Sequence, residues 1–286
     1  MQARKHPTLI RLGALLLCAA LLAACKERPD PQREGVDVGK NSVFTKLVSA
    51  QEIEQQAELQ YLQIQQQAAS KQALLPRDHP EVRRLQGIAR KIIPHALAWN
   101  PRAKDWKWSV IVIRSPQINA FCMPGGKIAF FTGILDQLKL SDDEVAMIMG
   151  HEVAHALREH ARERLAKGVA TEGGARVLGA VLSAWLGIDP QLTDTAARGG
   201  AGLARLSFSR SDETEADLVG MELAARAGYD PRAGVTLWQK MSAASKGAPP
   251  QWLSTHPAGK TRIAEIEQNL PKVMPLYERA RKARLQ

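Results

Sequence analysis

The segment H-E-V-A-H, from His151 to His155, constrains this chain more than any other. Residues four apart on an α-helix lie on one face, about one turn or ~6 Å along the axis, so both imidazoles can reach one metal ion. Glu152 lies between them and can reach a water on that ion. The segment therefore predicts a zinc site with a general base beside it, as in metallopeptidases. The alternative is an accidental spacing, which the small number of histidines, 7 in 286 residues, disfavours.

The residues around this segment predict that it lies in the middle of a helix. Ser141 and Glu144 have the spacing of a capping box, the signature of a helix start. Small and apolar residues then surround the motif, and charged residues such as Arg158 and Glu163 follow it. We therefore expect a helix with one buried face, on which the spacing of the histidines has structural meaning.

A third zinc ligand is expected in the acidic segment from Ser209 to Asp217, because catalytic zinc usually holds three side chains. Glu213 and Asp217 are four residues apart and share a helix face, whereas Glu215 points elsewhere. We interpret Glu213 as the ligand and Asp217 as an outer carboxylate that orients an imidazole, with Arg210 as a further outer residue. The alternative is an acidic helix start that is favoured only by the helix dipole.

Four segments resemble peptidase family forty-eight, the CAAX-prenyl-endopeptidase and HtpX superfamily of zinc metallopeptidases. They are N-A-F-C-M-P-G-G-K-I from Asn119, H-E-V-A-H, S-R-S-D-E-T-E-A-D-L-V-G from Ser209, and H-P at His256 with R-I at Arg262. The resemblance covers roughly Val82 to Leu270 and is nearest to lipoproteins of the BepA and LoiP type and to Oma-type proteases. It implies one Zn²⁺ per chain and an α+β fold, a mainly helical zincin (gluzincin) domain with a small β-sheet beside the active-site helices.

The segment that begins at Asn119 has the pattern of two short strands joined by Pro-Gly-Gly, a strong turn signal. We expect an extended substrate to add to the second strand, from Lys127 to Phe131, through backbone hydrogen bonds. The predicted substrate-binding residues are Asn119, Lys127, Ile128, Ala129 and Phe130.

His256 is a further candidate catalytic residue near the metal. It could donate a hydrogen bond to the tetrahedral oxyanion, or occupy the open zinc position in a resting state. It could also be a structural histidine that precedes a helix opened by Pro257. His160 is five residues beyond His155, so it is expected to point off the metal face and to be structural.

The N-terminus predicts export and lipidation. Basic residues precede an apolar run from Leu12 to Ala24, which is a signal-peptide core too short to span a bilayer as a stable helix. The run ends in L-A-A-C, so Cys25 is the expected lipidation site; an ordinary secretory signal is the alternative. Resemblance to known lipoproteins favours the outer membrane, facing the periplasm.

Composition agrees with an envelope protein. Of the 3 cysteines, Cys18 would leave with the signal and Cys25 would carry lipid, so Cys122 has no partner for an intramolecular disulfide. The net charge of +10 favours anionic lipid or peptidoglycan surfaces. Nucleic acid is not an expected partner, because aromatic residues are 5% of the chain and no recognition motif is present.

The expected organisation is a single peptidase domain behind an N-terminal leader. Residues 1–24 are a signal peptide, 25–45 a lipidated N-terminus and tether, 46–275 the metallopeptidase domain, and 276–286 a basic tail. Helices are predicted at 46–75, at 80–97 and throughout the chain after 132, and strands at 106–114, 118–122 and 127–131. The glycine-rich stretch Gly168 to Leu206 predicts either a buried or domain-edge helix between flexible loops, or a mobile lid or membrane-touching element over the active site.

Two functions remain after these arguments. The first is an envelope endopeptidase that removes misfolded or stalled envelope proteins. The second is a zinc-bound chaperone or scaffold lipoprotein with latent peptidase activity. Glu152 favours the first, because binding alone needs no general base between the histidines. The expected partners are protein or peptide substrates, and the membrane through the N-terminal lipid.

Overall fold

The computed structural model describes residues 34–172, 208–244, 250–256 and 260–284. The predicted signal peptide, Cys25 and most of the stretch from Gly168 to Leu206 lie outside these residues. The α-helices in the described ranges are α1 (Ala50–Ser70), α2 (Pro80–Ile92), α3 (Thr132–Leu138), α4 (Asp142–Leu157), α5 (His160–Glu172), α6 (Arg210–Arg226), α7 (Ala233–Ala244), α8 (Gln251–Thr255) and α9 (Lys260–Ala283). The strands are β1 (Ser109–Ile113), β2 (Ala120–Met123) and β3 (Lys127–Phe131), and 3-10 turns lie at Val43–Leu47, Ile93–Ala98 and Pro101–Lys104.

The three strands form one mixed sheet in the order β1, β3, β2. The central strand β3 is parallel to β1 and antiparallel to β2. Gly125 and Gly126 join β2 to β3 with φ values of 81° and 76°. A Cβ atom on Gly126 would lie 2.6 Å from the Trp108 ring, so both the backbone angle and the space require glycine there.

The sheet separates two apolar layers, because alternate residues of a strand face opposite sides. Ile111, Phe121 and Phe131 face α1 and pack with Tyr61 in one buried cluster. The other face contributes its side chains to the main core, which also contains the apolar side chains of α4 and α6. The α+β prediction is confirmed, and the mainly helical part lies on the side of the sheet opposite α1.

The folded domain extends beyond the boundaries predicted for it. Val36, expected in the tether, is 2% exposed, and its backbone N–H donates to Glu222 on α6 at 2.9 Å. Leu276, expected in the basic tail, is buried within α9, which continues to Ala283. The limits 46 and 275 were therefore too narrow, because apolar residues outside them contribute to the core. Within the described ranges, no helix combines the length and the apolar character needed to cross a bilayer.

Candidate metal centre and active site

Helix α4 begins with the capping box that the sequence predicts. Ser141 Oγ accepts from the backbone N–H of Glu144 at 3.2 Å, and Glu144 Oε2 accepts from the Ser141 N–H at 2.8 Å. Lys240 on α7 donates to the same carboxylate at 2.7 Å, which compensates its burial. The helix is buried from Glu144 to Leu157, so the H-E-V-A-H segment lies deep in the domain.

Helix α6 begins with a second capping box, between Ser209 and Asp212, and crosses α4 at a pair of glycines. A Cβ atom on Gly150 would lie 2.5 Å from the backbone oxygen of Gly220, and one on Gly220 would lie 2.5 Å from the backbone nitrogen of His151. Only glycine at both positions allows the two backbones to come this close. This contact places the acidic face of α6 beside the histidines.

Four side chains converge where these helices cross. His151, His155, Glu213 and His256 each offer a ligand atom, and these atoms all lie within 4.8 Å of one another. The Nε2 atoms of the first two are 3.1 Å apart. Glu213 Oε2 is 3.6 Å from His151 Nε2, and its Oε1 is 3.5 Å from His155 Nε2. A tetrahedral zinc with bonds of about 2.0–2.2 Å separates its ligands by about 3.3–3.6 Å, so the three expected ligands fit one zinc ion.

His256 lies at the fourth corner of the cluster. Its Nδ1 is 3.0 Å from Glu213 Oε1 and 3.2 Å from His151 Nε2, and its Nε2 is 3.6 Å from Glu152 Oε1. The ring stacks on Trp252 at 4.9 Å between centroids. Burial lowers the pKa of His256, but the two nearby glutamates outweigh it, so the pKa is raised. This geometry places His256 within reach of the open ligand position, which is one of the three roles expected for it.

The imidazole of His151 is oriented by a buried ion pair. Its Nδ1 is 3.0 Å from Asp217 Oδ1. Arg262 on α9 donates to both oxygens of this carboxylate, at 2.5 and 2.6 Å, and to Glu213 Oε2 at 2.6 Å. Arg210, expected here, lies exposed in the first turn of α6. That prediction was wrong because a helix start faces solvent at this point, and Arg262 arrives from a distant part of the chain.

His155 has a different set of neighbours. Its Nδ1 is 2.9 Å from His160 Nδ1, and Phe208 stacks on its ring at 3.9 Å between centroids. His160 Nε2 is in turn 3.3 Å from Glu215 Oε2, to which Arg158 donates at 2.9 Å. His160 and Glu215 do lie off the metal cluster, as expected, but His160 contacts one of its histidines and Glu215 contacts His160.

Burial and charge oppose each other in this cluster. Burial lowers the pKa of His155 well below its ordinary value. Burial raises the pKa of Glu213, but the charge of His256 and hydrogen bonds from the cluster outweigh it, so the pKa is well below its ordinary range. Burial likewise raises the pKa of Asp217, and the charge of Arg262 outweighs it. At neutral pH the carboxylates are therefore ionised and His155 is neutral, the forms that bind a metal.

The predicted substrate strand requires a correction. Lys127, Ile128, Ala129 and Phe130 lie in β3, which pairs with β1 on one side and β2 on the other. A strand with both edges paired cannot accept a further strand. Asn119 adjoins β2, and its side chain accepts from the Ala120 N–H. The neighbouring residue Ile118 accepts a backbone hydrogen bond from Trp252 at 3.0 Å, which ties this side of the sheet to the cluster.

Sequence reasoning assigned no role to Arg262 or Trp252, although both contact the site. Arg262 belongs to the late H-P-x-x-x-x-R-I segment, and its place in that segment was the available signal. Trp252 precedes His256 by four residues, a spacing that places the two rings on one side of a turn. Its indole N–H donates to Glu152 Oε1 at 2.6 Å.

A comparison with known families fits this geometry. The family model described as Peptidase family M48 matches residues 80–270. The chain belongs to peptidase family M48. This is a family of zinc-dependent metallopeptidases, in agreement with the buried cluster of three histidines and one glutamate, which can bind one metal ion.

Curated relatives come from mitochondria and from bacteria. The mitochondrial metalloendopeptidase OMA1 of Arabidopsis thaliana is 40% identical over 180 residues, 63% of this chain and 35% of the relative. OMA1 of Schizosaccharomyces pombe is 36% identical over 201 residues, 70% of this chain and 56% of the relative. The beta-barrel assembly-enhancing protease of Escherichia coli is 27% identical over 205 residues, 67% of this chain and 39% of the relative. The chain thus spans less than two thirds of the length of each.

Proposed function

We propose that this protein is a zinc-dependent endopeptidase of the bacterial cell envelope that removes misfolded or stalled envelope proteins. The observation that carries the proposal is Glu152, a carboxylate that is 2% exposed and whose Oε1 lies 3.6 Å from Nε2 of His256 in the metal cluster. A zinc site used only for binding has no need of a general base at that position.

The residues around Glu152 are suited to peptide hydrolysis. When bound, a zinc ion supplies a Lewis acid that polarises the scissile carbonyl and makes an attacking water more acidic. Glu152 accepts a proton from that water and then donates it to the leaving amide nitrogen. The hydrogen bond from the Trp252 N–H to Oε1 holds the Glu152 carboxylate in place and leaves its Oε2 to accept the proton. Asp217 keeps His151 in the orientation that directs its Nε2 into the cluster.

On this proposal His256, at the fourth corner of the ligand cluster, lies where a substrate carbonyl would bind. We infer that it moves aside when substrate enters and then donates an N–H to the oxyanion. Occupation of the open zinc position and donation to the oxyanion, both expected from the sequence, then become two stages of one catalytic cycle. In His256→Ala, kcat should fall because the donor is lost, while zinc should stay bound through the other three ligands.

The outer edge of β2 is the better place for an extended substrate. Asn119 accepts a backbone hydrogen bond from Phe131, so the alternate residues Ala120 and Cys122 direct their backbone groups away from β3. A substrate strand added to this edge would be recognised through its main-chain groups, so many different substrate sequences could bind. Broad recognition of this kind suits an enzyme that removes unfolded proteins.

The envelope location rests on the N-terminal sequence and on a comparison with bacterial relatives. The apolar run ending in L-A-A-C supports export and lipidation at Cys25. The Escherichia coli relative is named a beta-barrel assembly-enhancing protease. We propose the outer membrane, facing the periplasm, as the place of action. Several acyl chains on Cys25 would give a stable anchor.

Glu152→Gln tests the chemistry. The variant should bind zinc and unfold like the native protein but lose nearly all cleavage of casein, because the amide cannot accept the proton. Envelope proteins that accumulate with this variant, compared with the native protein, identify the substrates. Native turnover in Glu152→Gln would refute the general-base role, and a native protein that binds zinc without cleaving casein would favour the chaperone or scaffold function.

Cys25→Ser tests the location. The substitution removes the acylated thiol, so acyl labelling should disappear and the protein should be recovered as precursor or in the soluble fraction. Alanine substitution of Cys18, which lies within the apolar run, is the matched control and should leave labelling intact. Firm retention of Cys25→Ser in the outer membrane would contradict lipid anchoring.

A further inference from the structure

A chain of polar groups runs outward from the buried His155 to the partly exposed Glu215. His160 is 2% exposed and begins α5 directly after Glu159, which adopts a left-handed backbone conformation with φ of 57°. That turn folds His160 back against α4, so its Nδ1 lies 2.9 Å from His155 Nδ1. On the far side, His160 Nε2 meets Glu215 Oε2 at 3.3 Å, and Arg158 holds the same oxygen at 2.9 Å.

Metal binding by His155 fixes the direction of every hydrogen bond between these polar groups. His155 directs Nε2 into the cluster, so its ring proton must be on Nδ1 and is donated to His160 Nδ1. His160 Nδ1 must then accept, which places the proton of that ring on Nε2, where it is donated to the Glu215 carboxylate. Each contact uses one proton, and both imidazoles are neutral. No other assignment satisfies all three groups while Nε2 of His155 stays free for a metal.

We propose that His160 and Glu215 are positioning residues for zinc, which fix the tautomer and orientation of His155 and strengthen it as a ligand. The inference rests on zinc binding by His151, His155 and Glu213, as proposed above. A carboxylate that accepts the outer N–H of a metal-binding histidine has the same effect directly. Here the carboxylate of Glu215 acts through an intervening imidazole, because its contacts are with His160 and Arg158.

Packing supports the same role. Phe208 stacks on the His155 ring with an angle of 25° between the planes, which limits rotation of the ring about its side-chain bonds. A stacked ring can still slide and can still change tautomer. The hydrogen bond to His160 removes this freedom, because it is satisfied in only one ring orientation.

Three substitutions separate positioning from simple packing. Glu215→Gln keeps the shape but removes the charge, His160→Phe keeps a ring but removes both hydrogen bonds, and His160→Asn retains an acceptor near Nδ1. Glu163→Gln is the matched control, because Glu163 lies on α5 and pairs with Lys167 rather than with the cluster. The measurements are zinc affinity by chelator competition, the visible spectrum of the cobalt-substituted protein, kcat and KM on a peptide, and urea unfolding of the zinc-free protein.

We expect Glu215→Gln and His160→Phe to weaken zinc binding by about 10- to 100-fold, the usual effect of losing such a partner. The cobalt spectrum should change and kcat should fall with little change in KM, whereas Glu163→Gln should behave as native. His160→Asn should recover part of the affinity. If His160→Phe does not fold without zinc, Glu215→Gln decides the question.

Native zinc affinity and a native cobalt spectrum in Glu215→Gln would overturn the proposal. A loss of affinity fully accounted for by weaker folding of the zinc-free protein would overturn it as well. Failure of the proposed function has a different signature, since the native protein itself would then bind no zinc or cleave no casein.

Discussion

The two zinc-binding histidines lie one turn apart on α4, yet their outer nitrogens are held in different ways. His151 donates to Asp217, which pairs with Arg262 in an ionic contact whose side chains are 7% and 4% exposed. His155 contacts a second imidazole, and the carboxylate beyond it, that of Glu215, is 25% exposed. One support is a buried ion pair, and the other ends close to solvent.

The difference matters because Arg262 also donates to Glu213. The buried pair of Asp217 and Arg262 therefore contacts two ligands, His151 and Glu213. On the other side, only one ligand, His155, is contacted. Loss of one partner of a buried ion pair costs much free energy of folding, whereas loss of one partner of a partly exposed pair costs little. Substitutions on the His151 side should accordingly affect folding and zinc together, and those on the His155 side mainly zinc.

Arg262→Ala should have the largest effect on folding, since it leaves two buried carboxylates without their guanidinium. Loss of one partner of a buried pair costs about 3–5 kcal/mol, and we expect a loss of this order in the free energy of unfolding of the zinc-free protein, measured in urea. Arg158→Ala, on the other side, should cost clearly less because its partner Glu215 is partly exposed. Equal losses in the two variants would remove the distinction between the supports.

Glu213→Ala tests the carboxylate that lies between the two histidines. Its oxygens are 3.6 and 3.5 Å from the two Nε2 atoms, so its loss should lower zinc affinity by more than about 100-fold, beyond the effect of an outer residue. The assay is chelator competition. Asp212→Asn on the same helix is the control and should keep native affinity; stoichiometric, native-affinity zinc in Glu213→Ala would refute the ligand assignment.

Gly220→Ala should weaken both supports at once. The new methyl group would meet the backbone of α4 at 2.5 Å and push α6 away, together with its carboxylates. We expect a loss of about 1–3 kcal/mol in the free energy of unfolding, with weaker zinc binding. Gly87→Ala is the control, because its nearest atom is 3.8 Å away and alanine favours helix by about 0.5–1 kcal/mol. Similar losses in both variants would contradict a close backbone contact.

The smallest expected effect is a pH dependence on the His151 side. Arg262 holds the pKa of Asp217 below its ordinary value of 3.8, despite burial that raises it. The carboxylate therefore contributes stability that is complete above the unfolded pKa and disappears as pH falls through the folded one. In zinc-free protein, the difference in unfolding free energy between native and Asp217→Asn should shrink below about pH 4, measured in urea. A difference independent of pH would contradict the ion pair.

Local sequence patterns predicted the parts of the site that lie within single helices. The capping box of Ser141, the spacing of the two histidines and the four-residue step from Glu213 to Asp217 all depend on helix geometry alone. Arg262 and Trp252 reach the site from segments far along the chain. Their positions depend on how the last helices pack, which no periodicity records.

The sheet illustrates the same limit. The strands from Ala120 and from Lys127 were predicted within a few residues, since the Pro-Gly-Gly turn marks their junction. Which strand lies at an edge was not predictable, because β1 pairs with β3 although β2 lies between them in the sequence. The substrate was assigned to the wrong strand because the order of the strands in the sheet was unknown, although β3 itself was predicted correctly.

The contact between Val36 and Glu222 has a mechanical consequence. Glu222 lies on α6, five residues beyond Asp217, and Arg226 on the same helix donates to the backbone oxygen of Glu34 at 2.7 Å. Tension applied to the N-terminus is thus delivered through these hydrogen bonds to the helix that carries Glu213. A chain shortened to Gly39 would lack this attachment, so pulling on its new terminus would bypass α6 and act on the segment before α1.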